Sequence, residues 1–249
     1  MRRLLVAVLA VLMLTLGAQA EPFRTLLLTD DQIVELGGRE MGIQVQNIDS
    51  LFVDDADVLS LIPYIRYGLF EKMTAYVLVP FQNISSDVED DEAGLADMGV
   101  GFNLLADDGS ENNCSIMTTL ELNLPTGDED KRLGDGDVGL MMGIALGINL
   151  DPDTSFIFEG RYEIVPEGDD ILTYGIGVVH EVSPRLWFTV EGEGTDQEFD
   201  GESPALMLVG MTYKGFCDVK GLMLSIGGGT GLTSVSPSGA GSIKLAYSF

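Results

Sequence analysis

Residues 137–150 read DVGLMMGIALGINL, and residues 155–164 read SFIFEGRYEI. In the first, Val138, Leu140, Met142, Ile144, Leu146, Ile148 and Leu150 alternate with Asp137, Gly139, Met141, Gly143, Ala145, Gly147 and Asn149. In the second, Phe156, Phe158, Gly160, Tyr162 and Ile164 alternate with Ser155, Ile157, Glu159, Arg161 and Glu163. A strand sends successive side chains to opposite faces, so each segment has one apolar face and one small or polar face. The turn formers Asp151–Thr154 join the two as a hairpin.

Outward from this hairpin the same period of two continues. About twelve such segments are expected, over residues 40–48, 55–67, 73–82, 94–105, 115–124, 137–150, 155–165, 171–182, 186–194, 204–214, 219–227 and 239–249. Turn formers separate them. Connections at 68–72, 106–113, 151–154 and 183–185 fall on one side. Those at 83–93, 125–136, 166–170, 195–203 and 228–240 fall on the other. A segment of about ten residues, at ~3.3 Å per residue and ~45° tilt, covers about 24 Å, the height of the apolar band of an outer membrane.

The composition supports this reading. The chain has 249 residues, 45% of them hydrophobic, yet carries 40 acidic against 13 basic residues, a net charge of −27. Its mean hydropathy is nevertheless positive, at +0.22. Such a chain shows apolar surface to a non-aqueous phase while keeping many carboxylates in water. No run of 18 apolar residues follows the start of the chain, so a membrane can be crossed only by strands. The acidity excludes nucleic acid as a partner, because phosphates require many cations. One His and two Cys leave little for a metal site or for Ser/His/Asp chemistry. Neither a metal nor a cofactor is expected.

Residues 1–20 have the form of a signal peptide: Arg2 and Arg3, an apolar stretch from Leu4 to Leu16, and Ala18-Gln19-Ala20 as the cleavage site. Residues 21–38 are expected as a short periplasmic lead-in. Thr29–Gln32 fits a capping box and Gly37-Gly38 a helix stop, which predicts one or two helical turns there. The segment is either a flank in solvent or a small plug. The remainder, 39–249, is expected as one antiparallel transmembrane β-barrel of about twelve strands.

Three features separate a barrel from a secreted sandwich. The less apolar face is rich in glycine and alanine, as at Gly99, Gly101, Gly139, Gly143, Gly175 and Gly177, which suits a narrow concave interior. Aromatics sort to strand ends. Tyr67, Phe102, Tyr213, Tyr247, Phe249, Phe156, Phe158 and Phe188 fall at one interface, and Phe81, Tyr162 and Tyr174 at the other, as in the two girdles of a transmembrane barrel. Finally, residues 242–249 (SIKLAYSF) alternate and end in Phe249. With Tyr247, this resembles the signal read by the outer-membrane assembly machinery. Acidic residues collect in the longer connections, at Asp87–Glu92, Asp128–Asp135 and Asp196–Glu202. There they face lipopolysaccharide, and weak divalent binding or a general acidic surface bias are both open.

The segment ELNLPTGD at 121–128, followed by LGDGD at 133–137, resembles the MetA-pathway phenol-degradation family of outer-membrane transporters. LIPYIRYGL at 61–69 looks like that family's second strand and turn. The likeness covers roughly residues 55–249, with Asp135 in place of the small residue expected between two glycines. The resemblance implies an outer-membrane barrel that moves small, often apolar or aromatic, molecules, and it supplies no catalytic residue.

Alternation points Arg66, Asp97, Glu121, Glu159, Arg161, Glu163, Glu181, Glu191, Glu193 and Lys244 into the interior. Twelve strands give a wall roughly 24 Å across and a lumen of ~10 Å. Carboxylates outnumber cations in this set, so the expectation is a wet, acid-lined channel for passive passage of small molecules. The other reading is a barrel sealed by ion pairs, structural or adhesive through its acidic loops. Paired glutamates such as Glu191 and Glu193 carry no mark of a hydrolase acid and base, and no enzyme is expected. Cys114 and Cys217 lie near opposite turns, and export permits a disulfide between them.

Overall fold

In lipid a strand keeps its backbone satisfied only by pairing on both edges, and the described strands do this almost everywhere along the wall. The structure, a computed structural model, describes residues 33–51, 56–86, 90–109, 113–165, 170–197 and 201–249. The expected signal peptide, the capping box at Thr29–Gln32 and the acidic residues Asp87, Glu89, Glu198 and Asp200 lie outside the described residues.

The strands are β1 (Arg39–Leu51), β2 (Ala56–Phe70), β3 (Met73–Leu78), β4 (Phe81–Ser86), β5 (Glu92–Leu95), β6 (Met98–Asp108) and β7 (Cys114–Leu124). They continue as β8 (Gly139–Asp151), β9 (Thr154–Ile164), β10 (Ile171–Ser183), β11 (Leu186–Thr195), β12 (Ala205–Lys214), β13 (Leu222–Gly231) and β14 (Gly239–Ser248). Each is antiparallel to its neighbours, and β1 pairs with both β14 and β2, which closes the ring.

Fourteen strands make twelve passes, because two passes are interrupted. β3 and β4 are parted by Val79-Pro80, opposite Pro63 of β2. Two prolines at one level remove two ladder donors, so pairing lapses there. Across from that break, three residues (Ala96, Asp97 and Met98) stand against two, which is a bulge between β5 and β6. Stepping from partner to partner around the ring returns to β1 about 14 residues further along. On twelve strands that shear gives a tilt of ~40° and a wall ~23 Å across.

The faces are sorted inside out relative to a soluble sheet. Ile144 is 56% exposed, Ile243 53% and Val209 50%, all on the outer surface of the ring. Glu40 and Glu191 are 0% exposed and Arg66 2%. Oil-facing rows therefore clothe the outside while charges are enclosed, which only a surrounding lipid phase makes stable.

Inside the periplasmic half the packing is dense. Ile157, Val179 and Trp187 form one buried cluster, and Leu105, Met117 and Ala145 another. Residues 33–38 enter this end and contain no helix; the rest of the expected helical lead-in lies outside the described residues. The buried Val34 gives its N–H to Thr74 Oγ1 at 2.8 Å rather than to a helical carbonyl, and Gly37 turns the chain at φ +77°. Ile33 packs on the Leu105–Met117–Ala145 cluster. Gly68 lets this segment pass: a Cβ there would lie 1.9 Å from the Glu35 carbonyl oxygen.

Glycine also seats two tyrosines. Tyr64 pairs with Gly42 and Tyr76 with Gly101, and each ring lies flat across its glycine, 2.5 Å from where a Cβ would be. Below them, Glu40 accepts from Arg66 Nη1 at 3.3 Å and from the Ser248 hydroxyl at 3.1 Å. Cys114 and Cys217 are free thiols.

Gly101→Ala drives a methyl into the Tyr76 ring and the Leu120 carbonyl. It should destabilise the barrel by ~1–3 kcal/mol, read as a lower urea midpoint in detergent. Arg66→Ala strands a buried carboxylate and should cost ~3–5 kcal/mol. The pair Glu40→Gln with Arg66→Met should recover most of that in the same titration.

Candidate functional site: the charged interior

Period two on β9 turns Glu159, Arg161 and Glu163 inward in succession, and on β11 it does the same for Glu191 and Glu193. Between these strands β10 contributes Gly175, the pairing partner of both Glu159 and Glu193. Its missing side chain leaves room for their neighbour. Arg161 Nη2 donates to Glu193 Oε2, and its Nε lies 3.8 Å from Glu159 Oε1. On the other flank the Arg161 stem runs over Gly143 of β8. Two glycines thus open the space in which one guanidinium holds two carboxylates.

Around the ring, Glu121 of β7 lies over Gly99. Glu163 accepts from Asn123 Nδ2 at 2.6 Å. Lys244 of β14 sits over the Tyr64 ring, its Nζ 5.5 Å from the centroid. Glu121, Glu159, Glu163, Glu191 and Glu193 therefore share the middle of the interior with Arg161 and Lys244. Charge of one sign predominates, and such an excess requires water or a mobile counter-ion. The Arg161 and Glu193 side chains are 27% and 26% exposed, whereas that of Glu159 is 2% exposed. Water accordingly reaches the cluster from the outer side and stops near Glu159.

The remaining sequence-predicted residues sit elsewhere. Arg66 is lower, against Glu40. Glu181 lies at the periplasmic rim, where its N–H donates to the Asp153 carbonyl at 2.7 Å. Asp97 sits at the bulge and serves as a clamp for the 125–138 loop. Its carboxylate accepts the Gly127 and Asp135 N–H groups at 2.8 and 2.9 Å. Thr126 completes the clamp, donating its hydroxyl to the Ala96 carbonyl at 2.9 Å and accepting the Met98 N–H at 3.0 Å. Asp135 bonds through its backbone, which is why a larger side chain is accommodated between two glycines. The loop also inserts Leu133, 3% exposed, against Gly94. Tyr247 and Phe249 stack, with ring centroids 5.8 Å apart.

Sequence reasoning missed Glu40. Its signal was available: it is inward-facing at the start of β1 and directly opposite Arg66.

Among the described residues, two of the clefts open at the outer mouth. One of about 620 Å³ lies among the 125–138 loop and β5. The other, of about 300 Å³, is bounded by Ile48, Ile171, Pro204 and Leu206, with Glu163 and Glu193 also in its wall.

The family model for the MetA pathway of phenol degradation matches residues 55–249. No curated protein matches the chain. Among solved structures, the COG4313 outer membrane channel from Pseudomonas putida F1 is similar with a TM-score of 0.73 at 16% identity, over 90% of this chain and 100% of that one. The KdgM porin is similar with a TM-score of 0.57 at 12% identity, over 84% of this chain and 99% of that one. Both likenesses concern the fold: a closed ring of antiparallel strands. The chain belongs to the MetA-pathway phenol-degradation family and is a twelve-pass β-barrel of the bacterial outer membrane.

Proposed function

We propose that this chain is a passive channel for small molecules across the outer membrane. The observation that carries the reading is the charged belt around Arg161, enclosed by a closed wall yet wetted from the outer mouth. Charges are costly to keep inside a barrel whose only task is to be a wall, because an apolar filling would be at least as stable. As charges along a water-filled path, they act on whatever passes. Membrane lipid surrounds the wall, and the acidic outer loops stand at the level of lipopolysaccharide. The same carboxylates serve transport in this reading rather than catalysis.

The packed periplasmic half, with residues 33–38 within it, favours a second reading: a sealed barrel. Under the channel reading this floor has to shift for solute to pass, and Thr74, which holds Val34, is part of what keeps it shut.

In planar bilayers the purified protein should give discrete currents that favour cations over anions. Replacing Glu121 and Glu193 together with glutamine should lower the cation-to-anion permeability ratio several-fold, read from the reversal potential in a salt gradient. Thr74→Val should lengthen the open events. Neither current nor liposome swelling with small solutes would select the sealed barrel.

A further inference from the structure

The 125–138 loop, between β7 and β8, folds onto the inner wall of the outer mouth. The parity of β5 establishes the side. Leu61 and Phe81 are paired and exposed on the outer surface, and Leu95 pairs with Phe81, so Leu95 faces outward as well. By period two, Gly94 and Glu92 then face the axis. The loop meets both. Leu133, the one buried side chain of 125–138, has its Cδ1 2.7 Å from where a Cβ of Gly94 would be. Lys131 Nζ lies 3.3 Å from Glu92 Oε2. Asp97, next along the same pass, accepts the Gly127 and Asp135 N–H groups. Asp97 has no partner in the strand ladder, so its carboxylate serves the loop and not the wall.

The tip of the loop is a unit. The Arg132 and Leu133 N–H groups donate to the Glu129 and Asp128 carbonyls at 2.9 and 3.0 Å. Yet this unit does not rest on a packed core. None of Glu129–Lys131 is buried, and the cleft of about 620 Å³ lies among the loop and β5. A strap tied at a few points can be released without disturbing the ladder beneath it. We propose that this loop is an inward-folded size filter of the outer mouth, seated on the wall by Leu133 and positioned by Asp97. The proposal rests on the channel reading and deepens it. The charges around Arg161 act on the charge of a solute, whereas the strap limits its cross-section, because a loop inside the ring takes width from a bore of fixed circumference.

The test uses the full chain in detergent and in planar bilayers. Asp97→Ala should speed amide hydrogen exchange across 125–138 about tenfold or more while leaving β8 to β10 unchanged. In bilayers it should raise the single-channel conductance about twofold and admit larger polyethylene glycols than the wild-type chain does. Leu133→Ser, whose site lies in no strand, should do the same without altering the wall. Asp97→Asn, which keeps one acceptor oxygen, should fall between Asp97→Ala and the wild type. Unchanged exchange in Asp97→Ala would overturn the clamp. Faster exchange with the same conductance and polymer cut-off in both Asp97→Ala and Leu133→Ser would overturn the filter and leave the channel standing. No current from any of the chains would reject the channel reading, and the filter with it.

Discussion

Closure is the constraint on which everything else depends. A sheet in hydrocarbon has no water to satisfy an open edge, so the first strand must meet the last. Here β1 meets β14 over ten paired positions, from Glu40 opposite Ser248 to Asp49 opposite Gly239. Once the ring is shut, its circumference follows from strand number and shear, and the space inside is limited to what a wall ~23 Å across can hold. Glycines on the inner face are the result. Where a tyrosine or an arginine has to lie across the bore, its neighbour must surrender a side chain, as Gly42, Gly101 and Gly143 do.

The interior then divides by depth. Toward the periplasm it is packed with Met117, Ile157, Val179 and Trp187, and with the segment around Val34. Toward the outside it holds an excess of carboxylates partly open to water. The interior thus runs from a dry, apolar floor to a partly wet, acidic upper part. The dry end also holds a small polar set, Glu40 bonded to Arg66 and Ser248, and Thr74 bonded to Val34. A buried ion pair there adds little net stability over an apolar pair of the same volume, although removing one partner alone is costly.

Much of this was legible in the amino-acid order because period two is an unusually direct signal when one face is in lipid. The hairpin at 137–164 showed both faces at once, and the inward direction of Glu159, Arg161 and Glu163 follows from parity alone. Which charges meet was not legible, since Arg161 reaches Glu193 only through the registers of β9, β10 and β11. Asp97 shows the same limit. Its parity points it inward, but a bulge and two distant prolines bring it under the 125–138 loop, and neither is visible in its own strand. Within 33–38 no helix forms, and the partner of the Val34 N–H, Thr74, lies forty positions away. Helix signals weigh local donors and acceptors, and a remote hydroxyl can outcompete them.

The bond from Ser248 to Glu40 joins the last strand to the first. Until β14 arrives, the Glu40 carboxylate sits on an unfinished margin with its hydroxyl partner still in another place along the chain. Its other partner, Arg66, comes from the strand beside it in the same hairpin. The two halves of that carboxylate's company are thus drawn from the two ends of the chain, so its full set of bonds exists only in the completed circle.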